Sequence, residues 1–266
     1  MHHPPKSFYP MKVAHIVALS GGHDSTVMAL RLKELNPHIE YTYVCTPTGD
    51  ELPEMVEHWV RLSEMLGCRI LPIVHPRGLN GLVDDQSAIP NWRQRWCTRM
   101  LKIEPYAKWL HRTAKEYDKV YSYVGLRFDE PDREGGDYSE VEGVIMRFPL
   151  KDWEFGEREV QAYLKQRGVK VPERTDCARC FYQRLDEWYD LWKTHPDIWA
   201  HAEKQEETQG YTWRSPGRDA WPTALKDLAA EFERGRIPKN WLRRQQGRID
   251  FDVDPISTMK CRVCRI

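Results

Sequence analysis

The seven residues from 20 to 26 combine the side chains and the backbone freedom that bind phosphate. They are Ser20, Gly21, Gly22, His23, Asp24, Ser25 and Thr26. Glycines let a ligand approach the backbone closely, while hydroxyl groups and the first N–H groups of a helix donate hydrogen bonds to anions. No Gly-Lys-Ser/Thr sequence closes the segment, which excludes a Walker A loop. Because the segment lies between a strand pattern and a helix pattern, we favour phosphate binding over an ordinary glycine-rich turn capped by Asp24.

Two Cys-x-x-Cys pairs form the second group of residues with a chemical pattern. They are Cys177 with Cys180 and Cys261 with Cys264. Each pair can give two thiolates to one metal, and two pairs complete the four-sulfur tetrahedron that suits zinc or an iron–sulfur cluster. The chain has seven cysteines, and in a reducing compartment they indicate metal binding or redox chemistry rather than structural disulfides.

Five short apolar or alternating segments predict the strands that must position these residues. The predicted strands cover residues 13–19, 39–45, 69–74, 119–126 and 144–148. Helical patterns separate them, beginning with residues 24–35 and with a helix that starts at Pro53. Alternating strands and helices predict an α/β fold with a mostly parallel, doubly wound sheet, whose ligands bind beyond the carboxyl ends of the strands. The phosphate-binding segment lies at such an end.

The rest of the chain predicts a long loop and a helical C-terminal region. Residues 75–91 are polar, and we expect them to form a functional loop because structureless loops of that length are uncommon. Helical patterns cover residues 157–167, 185–192 and 198–207. We place the domain boundary after residue 172, with a nucleotide-binding domain over 1–172 and a helical substrate- and metal-binding region over 173–266.

Tryptophans alternate with basic residues near the C-terminus. The set is Trp213, Arg214, Arg218, Trp221, Arg234, Arg236, Lys239, Trp241, Arg243, Arg244 and Arg248. Such a surface could stack bases and contact phosphates. We slightly favour the alternative, a solvated helical subdomain packed by its tryptophans.

Five motifs resemble the PP-loop (N-type) ATP pyrophosphatase superfamily, in its phosphoadenosine phosphosulfate (PAPS) reductase-like branch. SGGxDS matches residues 20–25, and TGDELPE at residues 48–54 is similar to DTGxExPET, with Pro47 standing where the family has aspartate. The pattern R-x-C-T-x-x-L-K-I-x-P matches residues 95–105, G-x-R-x-x-E-x-x-R matches 125–133, and P-L-x-D-W matches 149–153. Arg93, Arg95, Arg99 and Lys102 in and before the third motif are candidates for binding an oxyanion.

The resemblance implies a Rossmann-like fold of the adenine nucleotide alpha hydrolase type, followed by a helical, cysteine-containing appendage. It also implies an adenine-nucleotide site for ATP and Mg²⁺. The implied nucleotide-binding residues are Ser20, Gly21, Gly22, Asp24, Ser25, Thr26, Thr48, Gly49, Glu51, Gly125 and Arg127. The implied catalytic residues are Asp24, Lys102 and Arg127.

Only this resemblance suggests that Cys97 is a metal ligand. In the assimilatory sulfate reductases that carry a cluster, ligands come from positions that match Cys97, Cys177 and Cys180. The fourth ligand would then be Cys261 or Cys264, whereas two Cys-x-x-Cys pairs alone would need no Cys97. The identity of the four ligands stays open between these sets. We favour an iron–sulfur cluster next to the nucleotide over zinc.

Two classes of enzyme fit these residues, and a non-catalytic nucleotide sensor is a third possibility. An ATP-using PP-loop enzyme would transfer AMP to a substrate oxygen, release pyrophosphate and let sulfur or another nucleophile displace AMP, as in nucleic-acid thiolation. A thiol-dependent reductase would act on adenylyl sulfate or its 3′-phosphorylated form. Those reductases carry a Glu-Cys-Gly-Leu/Ile-His tail, whereas this sequence ends Cys261-Arg262-Val263-Cys264-Arg265-Ile266. We therefore favour the first class.

The composition limits the kinds of partner. Lys plus Arg and Asp plus Glu number 40 each, so the net charge is zero and any nucleic-acid surface must be local. No stretch approaches the ~18 apolar residues of a membrane span, and the first ten residues lack the apolar core of a signal peptide. We expect a cytoplasmic protein that binds an adenine nucleotide and no membrane. A nucleic-acid or sulfur-donor partner and a homodimer stay open.

Overall fold

A computed structural model describes residues 11–133, 138 and 140–245. These residues contain one five-stranded sheet in the order β3-β2-β1-β4-β5, and every neighbouring pair is parallel. The strands are β1 (Val13–Ala18), β2 (Tyr41–Cys45), β3 (Leu71–Pro72), β4 (Lys119–Tyr123) and β5 (Val144–Arg147). The predicted α/β class and all five predicted strands are confirmed. The strand order reverses between β1 and β4, which makes the crevice between their carboxyl ends the expected ligand site.

The helices of the first part of the chain connect these strands. They are α1 (His23–Leu35), α2 (Pro53–Leu66), α3 (Gly78–Gln86), α4 (Trp96–Thr98), a π-helical turn (Arg99–Ile103) and α5 (Glu104–Ala114). The expectation of a loop over residues 75–91 is wrong where α3 forms. Leu79, Leu82 and Val83 recur at helical spacing and are buried, and their packing outweighs the low helix propensity of the two glycines in α3.

The remaining helices are α6 (Pro149–Asp152), α7 (Glu157–Gln166), α8 (Leu185–Thr194), α9 (Pro196–Gln209), α10 (Leu225–Glu233) and α11 (Lys239–Gln245). Two of them, α6 and α7, precede residue 173, and α8 to α11 confirm the predicted helical C-terminal region. Helices α8 and α9 extend beyond the predicted 185–192 and 198–207. Within the described ranges, every helix is too short or too polar to cross a membrane.

Two hydrophobic clusters cover the two faces of the sheet. The alternation of side chains along β1 directs Val17 to the cluster shared with α1, α2 and α7, and it directs Ile16 to the cluster shared with α5. A third cluster joins α3 and α4 to the C-terminal helices, and its buried residues include Leu82, Trp188 and Trp213. The C-terminal helices are therefore packed directly against the segment that carries Cys97.

In the C-terminal region, tryptophans of the basic, aromatic set pack into the protein and several of its arginines form ion pairs. Trp213 is buried, and Trp221 and Trp241 pack against the third cluster. Arg214 pairs with Asp219 at 2.8 Å. Similar pairs join Arg234 and Arg236 to Glu231, and Arg244 to Asp186 and Asp190. The packing of the tryptophans agrees with the favoured alternative, a tryptophan-packed subdomain, which stays a prediction. Arg248 lies outside the described residues.

Candidate active site

Residues 20–26, which the sequence predicts to bind phosphate and which we call the phosphate-binding loop after that prediction, join the end of β1 to the first turn of α1. Gly21 has a φ of 85°, a left-handed conformation that favours glycine. The hydroxyl oxygens of Ser20 and Ser25 are 2.9 Å apart, and the Gly21 N–H donates to Ser25 Oγ at 3.0 Å. These bonds fix the loop in a shape that directs the first N–H groups of α1 toward the crevice, where the helix dipole favours an anion.

Close packing on both sides holds this loop in place. A Cβ on Gly21 would lie 2.2 Å from Met55 Cε and 2.5 Å from the Trp59 indole nitrogen, both on α2. A Cβ on Gly125, beyond the end of β4, would lie 3.1 Å from the backbone nitrogen and Cα of Ser25. The structure thus brings Gly125 against the phosphate-binding loop, as their shared place in the predicted nucleotide site requires.

Arg127 lies beside the loop but is surrounded by carboxylates. Its side chain is only 2% exposed, and its Nε donates to Asp129 at 2.9 Å. Its terminal nitrogens lie 3.5 Å from Asp24, 3.5 Å from Glu130 and 3.8 Å from Glu157. Two of the three predicted catalytic residues, Asp24 and Arg127, are therefore in contact. Arg127 ties the end of β4 to the first turn of α1.

We expect Arg127→Ala to weaken nucleotide binding by about 1 to 3 kcal/mol and also to lower the free energy of unfolding. The first effect arises because Asp24 loses the charged partner that orients it in the crevice, and the second arises because the buried carboxylates lose their counter-charge. Lysine should restore only part of both, since an ammonium cannot reproduce the planar guanidinium. Calorimetry and urea denaturation measure the two quantities. Wild-type affinity in the alanine variant would contradict this role.

A second prediction concerns pH. Burial raises the pKa of Asp24 from 3.8 to about 6, against the opposing effect of Arg127. The folded state thus binds this proton more tightly, so the group favours folding below pH 3.8, and that contribution is lost as the pH rises through about 6. We expect Asp24→Asn to stabilise the fold by up to roughly 3 kcal/mol at about pH 8. The gain should shrink between about pH 6 and about pH 4, and an equal gain in urea denaturation across this range would contradict the assignment.

The loop after β2, residues 48–51, forms a tight turn around its own carboxylate. Glu51 accepts hydrogen bonds from the Thr48 N–H at 2.6 Å, the Thr48 hydroxyl at 2.7 Å and the Gly49 N–H at 3.0 Å. Gly49 has a φ of 78°, which a glycine adopts without strain. In this structure Glu51 shapes the loop, and we call residues 48–51 the nucleotide loop.

Three of the five predicted metal ligands line one cavity. They are Cys97, Cys177 and Cys180, and Lys102 and Thr48 line it too. The Cys177 sulfur lies 3.3 Å from the Thr48 hydroxyl oxygen, so the cavity borders the nucleotide loop. Within the described part of the chain, no group of three or more His, Cys, Asp or Glu side chains is arranged to hold a metal ion. Cys261 and Cys264 lie outside the described residues.

Burial controls the protonation of these thiols. It raises the pKa of Cys97, that of Cys177 to about 12, and that of Cys180 well above its ordinary value. The Lys102 ammonium lowers the pKa of Cys97 and Cys177 but does not offset burial. Lys102 lies in the π-helical turn, a local geometry that is frequent at functional sites. By contrast, Arg93 stacks on Trp92 and Arg99 pairs with Glu104.

Arg179, one of the two residues between the cysteines of the first pair, is a buried site residue that no sequence motif identifies. Arg179 is 3% exposed, and its Nε donates to Asp50 Oδ1 at 2.7 Å. It also donates to Asn80 at 2.7 Å and to Gln205 at 2.5 Å. No local signal identifies this network, because Asp50 and Arg179 are 129 positions apart.

Comparisons with known proteins agree with this architecture. A family model for the phosphoadenosine phosphosulfate reductase domain matches residues 14–176. Two uncharacterised proteins of Methanocaldococcus jannaschii are also similar. One is 31% identical over 123 residues, which are 46% of this chain and 24% of that protein. The other is 26% identical over 157 residues, which are 56% of this chain and 36% of that protein. The chain therefore spans about a quarter of the first relative and about a third of the second.

Two solved structures are similar at low identity. One is the phosphoadenylyl-sulfate (PAPS) reductase from Candida auris in a phosphate complex, with 16% identity, a TM-score of 0.43 and coverage of 62% of this chain and 77% of that one. The other is the U34-tRNA thiolase NcsA from Methanococcus maripaludis with its [4Fe-4S] cluster, with 17% identity, a TM-score of 0.44 and coverage of 85% and 73%. Because the family model covers more than half of its sequence, this protein belongs to the PAPS reductase-like PP-loop family.

Proposed function

We propose that this protein binds ATP with Mg²⁺ in the crevice between β1 and β4 and transfers AMP to an oxygen atom of its substrate. The substrate oxygen attacks the α-phosphorus, the bond from that phosphorus to the β-phosphate oxygen breaks, and pyrophosphate leaves. Sulfur or another nucleophile then displaces AMP. The observation that supports this best is the phosphate-binding loop at the reversal of strand order, packed against Gly125.

The loop supplies the groups that a triphosphate needs. N–H groups of the first turn of α1 and the hydroxyls of Ser20 and Ser25 donate to phosphate oxygens. Thr26, predicted to bind the nucleotide as well, is fully buried and its hydroxyl donates to the Gly21 carbonyl oxygen, so it shapes the loop instead. Asp24 Oδ1 is buried 3.5 Å from Arg127 and accepts no hydrogen bond from the described residues, so it has a lone pair to give. A carboxylate and phosphate oxygens are the usual protein-site ligands of Mg²⁺. Asp24 would hold the ion, and Arg127 would orient Asp24.

The cysteine cavity beside the nucleotide loop is the candidate site for a metal centre. Three thiols line this cavity, and thiolates are the ligands that zinc and iron–sulfur clusters prefer. The described side chains do not form a ready ligand group, so the three thiols would have to come together around the metal, and the fourth ligand would be Cys261 or Cys264. An iron–sulfur cluster there would supply a redox-active, sulfur-binding centre, and zinc would supply a structural one. Lys102 lines the same cavity and would attract an anionic sulfur donor or substrate. This arrangement supports sulfur transfer to the adenylated substrate, for example a nucleic acid.

One observation favours the reductase as the second candidate. Its chemistry needs a thiol near a nucleotide-bound sulfate, and the Cys177 sulfur lies 3.3 Å from Thr48 of the nucleotide loop. In that reaction the adenylyl sulfate is the substrate. A thiolate attacks its sulfur atom, the bond from that sulfur to the phosphate oxygen breaks and the nucleotide leaves, and a second thiol then releases sulfite by forming a disulfide.

Ligand preference and product distinguish the two candidates. Calorimetry on the full chain with ATP, adenylyl sulfate and PAPS, each with Mg²⁺, should give the tightest binding for ATP. Release of pyrophosphate from ATP in the presence of candidate acceptors should follow. Binding of PAPS or adenylyl sulfate without binding of ATP, together with sulfite release in the presence of a thiol, would overturn the proposal in favour of the reductase.

A further inference from the structure

The nucleotide loop and the first Cys-x-x-Cys pair are joined by backbone contacts. Glu51 and Cys177 form an isolated antiparallel bridge, and the Ala178 N–H donates to the Asp50 carbonyl oxygen at 2.6 Å. We call residues 177–180 the cysteine loop. Its first sulfur therefore sits directly on the turn that the PP-loop resemblance assigns to the nucleotide.

A buried ion pair reinforces this junction. The Asp50 and Arg179 side chains are 5% and 3% exposed, and Asp50 accepts both from the Arg179 guanidinium and from the Arg179 N–H, the latter at 3.0 Å. Asp50 occupies the variable position of the TGxE motif, and Arg179 occupies a variable position of Cys-x-x-Cys. Neither motif requires these residues. Removing one partner would leave the other charge buried and uncompensated.

Other arginines hold the same segment from outside the junction. Arg174 donates to the Cys177 carbonyl oxygen at 2.8 Å, and Arg218 donates to the Gln183 carbonyl oxygen at 2.8 Å. The segment is thus fixed on two sides. The bonds to Asp50 must break when the cysteine loop opens away from the nucleotide loop. They need not break when the bonds to Arg174 or Arg218 are lost.

We infer that Asp50 and Arg179 are positioning residues that couple the cysteine loop to the nucleotide loop. This inference rests on the proposed function, because it takes the ligand to be the proposed adenine nucleotide. A nucleotide that binds residues 48–51 in the conformation described here stabilises that conformation, and with it the position of Asp50. Because the Ala178 and Arg179 N–H groups bond to Asp50, the same ligand raises the free energy of opening the cysteine loop. Coupling is reciprocal, so the state of Cys177 also changes nucleotide affinity.

Hydrogen–deuterium exchange tests this coupling without relying on activity or on a bound metal. In the full-length protein, ATP with Mg²⁺ should slow exchange of the Ala178 and Arg179 amides at least about fivefold, the lower end of typical coupling between sites. In the double variant Asp50→Asn with Arg179→Gln, which removes both charges together, the effect should fall below about twofold. A peptide over residues 20–26 reports nucleotide binding in the same experiment.

The control is Arg174→Gln, which removes a hydrogen bond to the cysteine loop without touching Asp50 or Arg179. It should speed exchange without ATP and keep the full response to ATP. Arg179→Lys should keep part of the response, which gives a milder variant if the double variant folds poorly. Protection over residues 20–26 with unchanged exchange in the wild-type cysteine loop would overturn the coupling alone. An undiminished ATP response in the double variant would overturn it as well, and no protection in either segment would overturn nucleotide binding and the coupling together.

Discussion

Gly21→Ala is expected to lower the affinity for ATP at least about a hundredfold, or about 3 kcal/mol. Gly21 has a φ of 85°, and an added Cβ would lie 2.2 Å from Met55 Cε and 2.5 Å from the Trp59 indole nitrogen. The left-handed conformation alone costs a residue with a side chain about 1 to 2 kcal/mol. The loop must therefore shift, and one or two charged hydrogen bonds to phosphate, each about 1.5 to 3 kcal/mol, are lost with it.

Gly22→Ala is the matched control for this substitution. Gly22 has a φ of −70°, and its added Cβ would make an ordinary 3.4 Å contact with Thr175 Oγ1. We expect this variant to keep its stability within about 1 kcal/mol and to bind ATP more tightly than Gly21→Ala does. Calorimetry and urea denaturation of both variants measure these differences. Equal ATP affinity in wild type and Gly21→Ala would contradict the assignment of this loop to phosphate.

Local patterns explain why the fold was predictable. The strands appear as short apolar runs, and residues 20–26 carry their chemistry in consecutive positions. The exception is α3, where Gly78 and Gly81 have a low helix propensity, so propensity alone does not predict a helix. Its signal was present in Leu79, Leu82 and Val83, whose spacing matches one helix face. Their burial against the C-terminal helices decides the structure, and that contact is not visible in a local window.

The features of the candidate site that the sequence did not predict depend on contacts between residues far apart in the chain. The motif identifies Arg127, yet it does not show that carboxylates from three segments surround it. Asp50 and Arg179 occupy variable motif positions, so neither has a pattern of its own. Their pairing depends on how the segment after residue 172 packs on the nucleotide loop. The basic, aromatic set was ambiguous for the same reason, because acidic partners such as Asp186 decide whether an arginine is available to a ligand.

We expect Cys177→Ser and Cys180→Ser each to lose the bound metal completely, which is the largest change in metal content that any substitution should cause. Both thiols line the cavity that also contains Cys97, and both belong to each proposed set of four ligands. A serine hydroxyl is a poor ligand for zinc or iron at a thiolate site, so three sulfur ligands would remain. Since metal binding and folding are coupled, the C-terminal region should also lose stability.

Metal content and the visible spectrum of anaerobically purified protein measure this loss. Cys68→Ser is the control, because Cys68 is exposed and lies outside the cavity, and it should keep full metal. Full metal in either Cys177→Ser or Cys180→Ser would contradict the site.

Cys97→Ser then distinguishes the two ligand sets. If the metal is held by the two Cys-x-x-Cys pairs alone, this variant keeps full metal. If the ligands are Cys97, Cys177, Cys180 and one cysteine of the tail, it loses metal, and only one of Cys261→Ser and Cys264→Ser does the same. We expect the second result, because Cys97 lines the same cavity as the first pair and lies on α4, directly before the π-helical turn that carries Lys102. A colourless protein with one zinc per chain would contradict the iron–sulfur assignment and leave the metal a structural role.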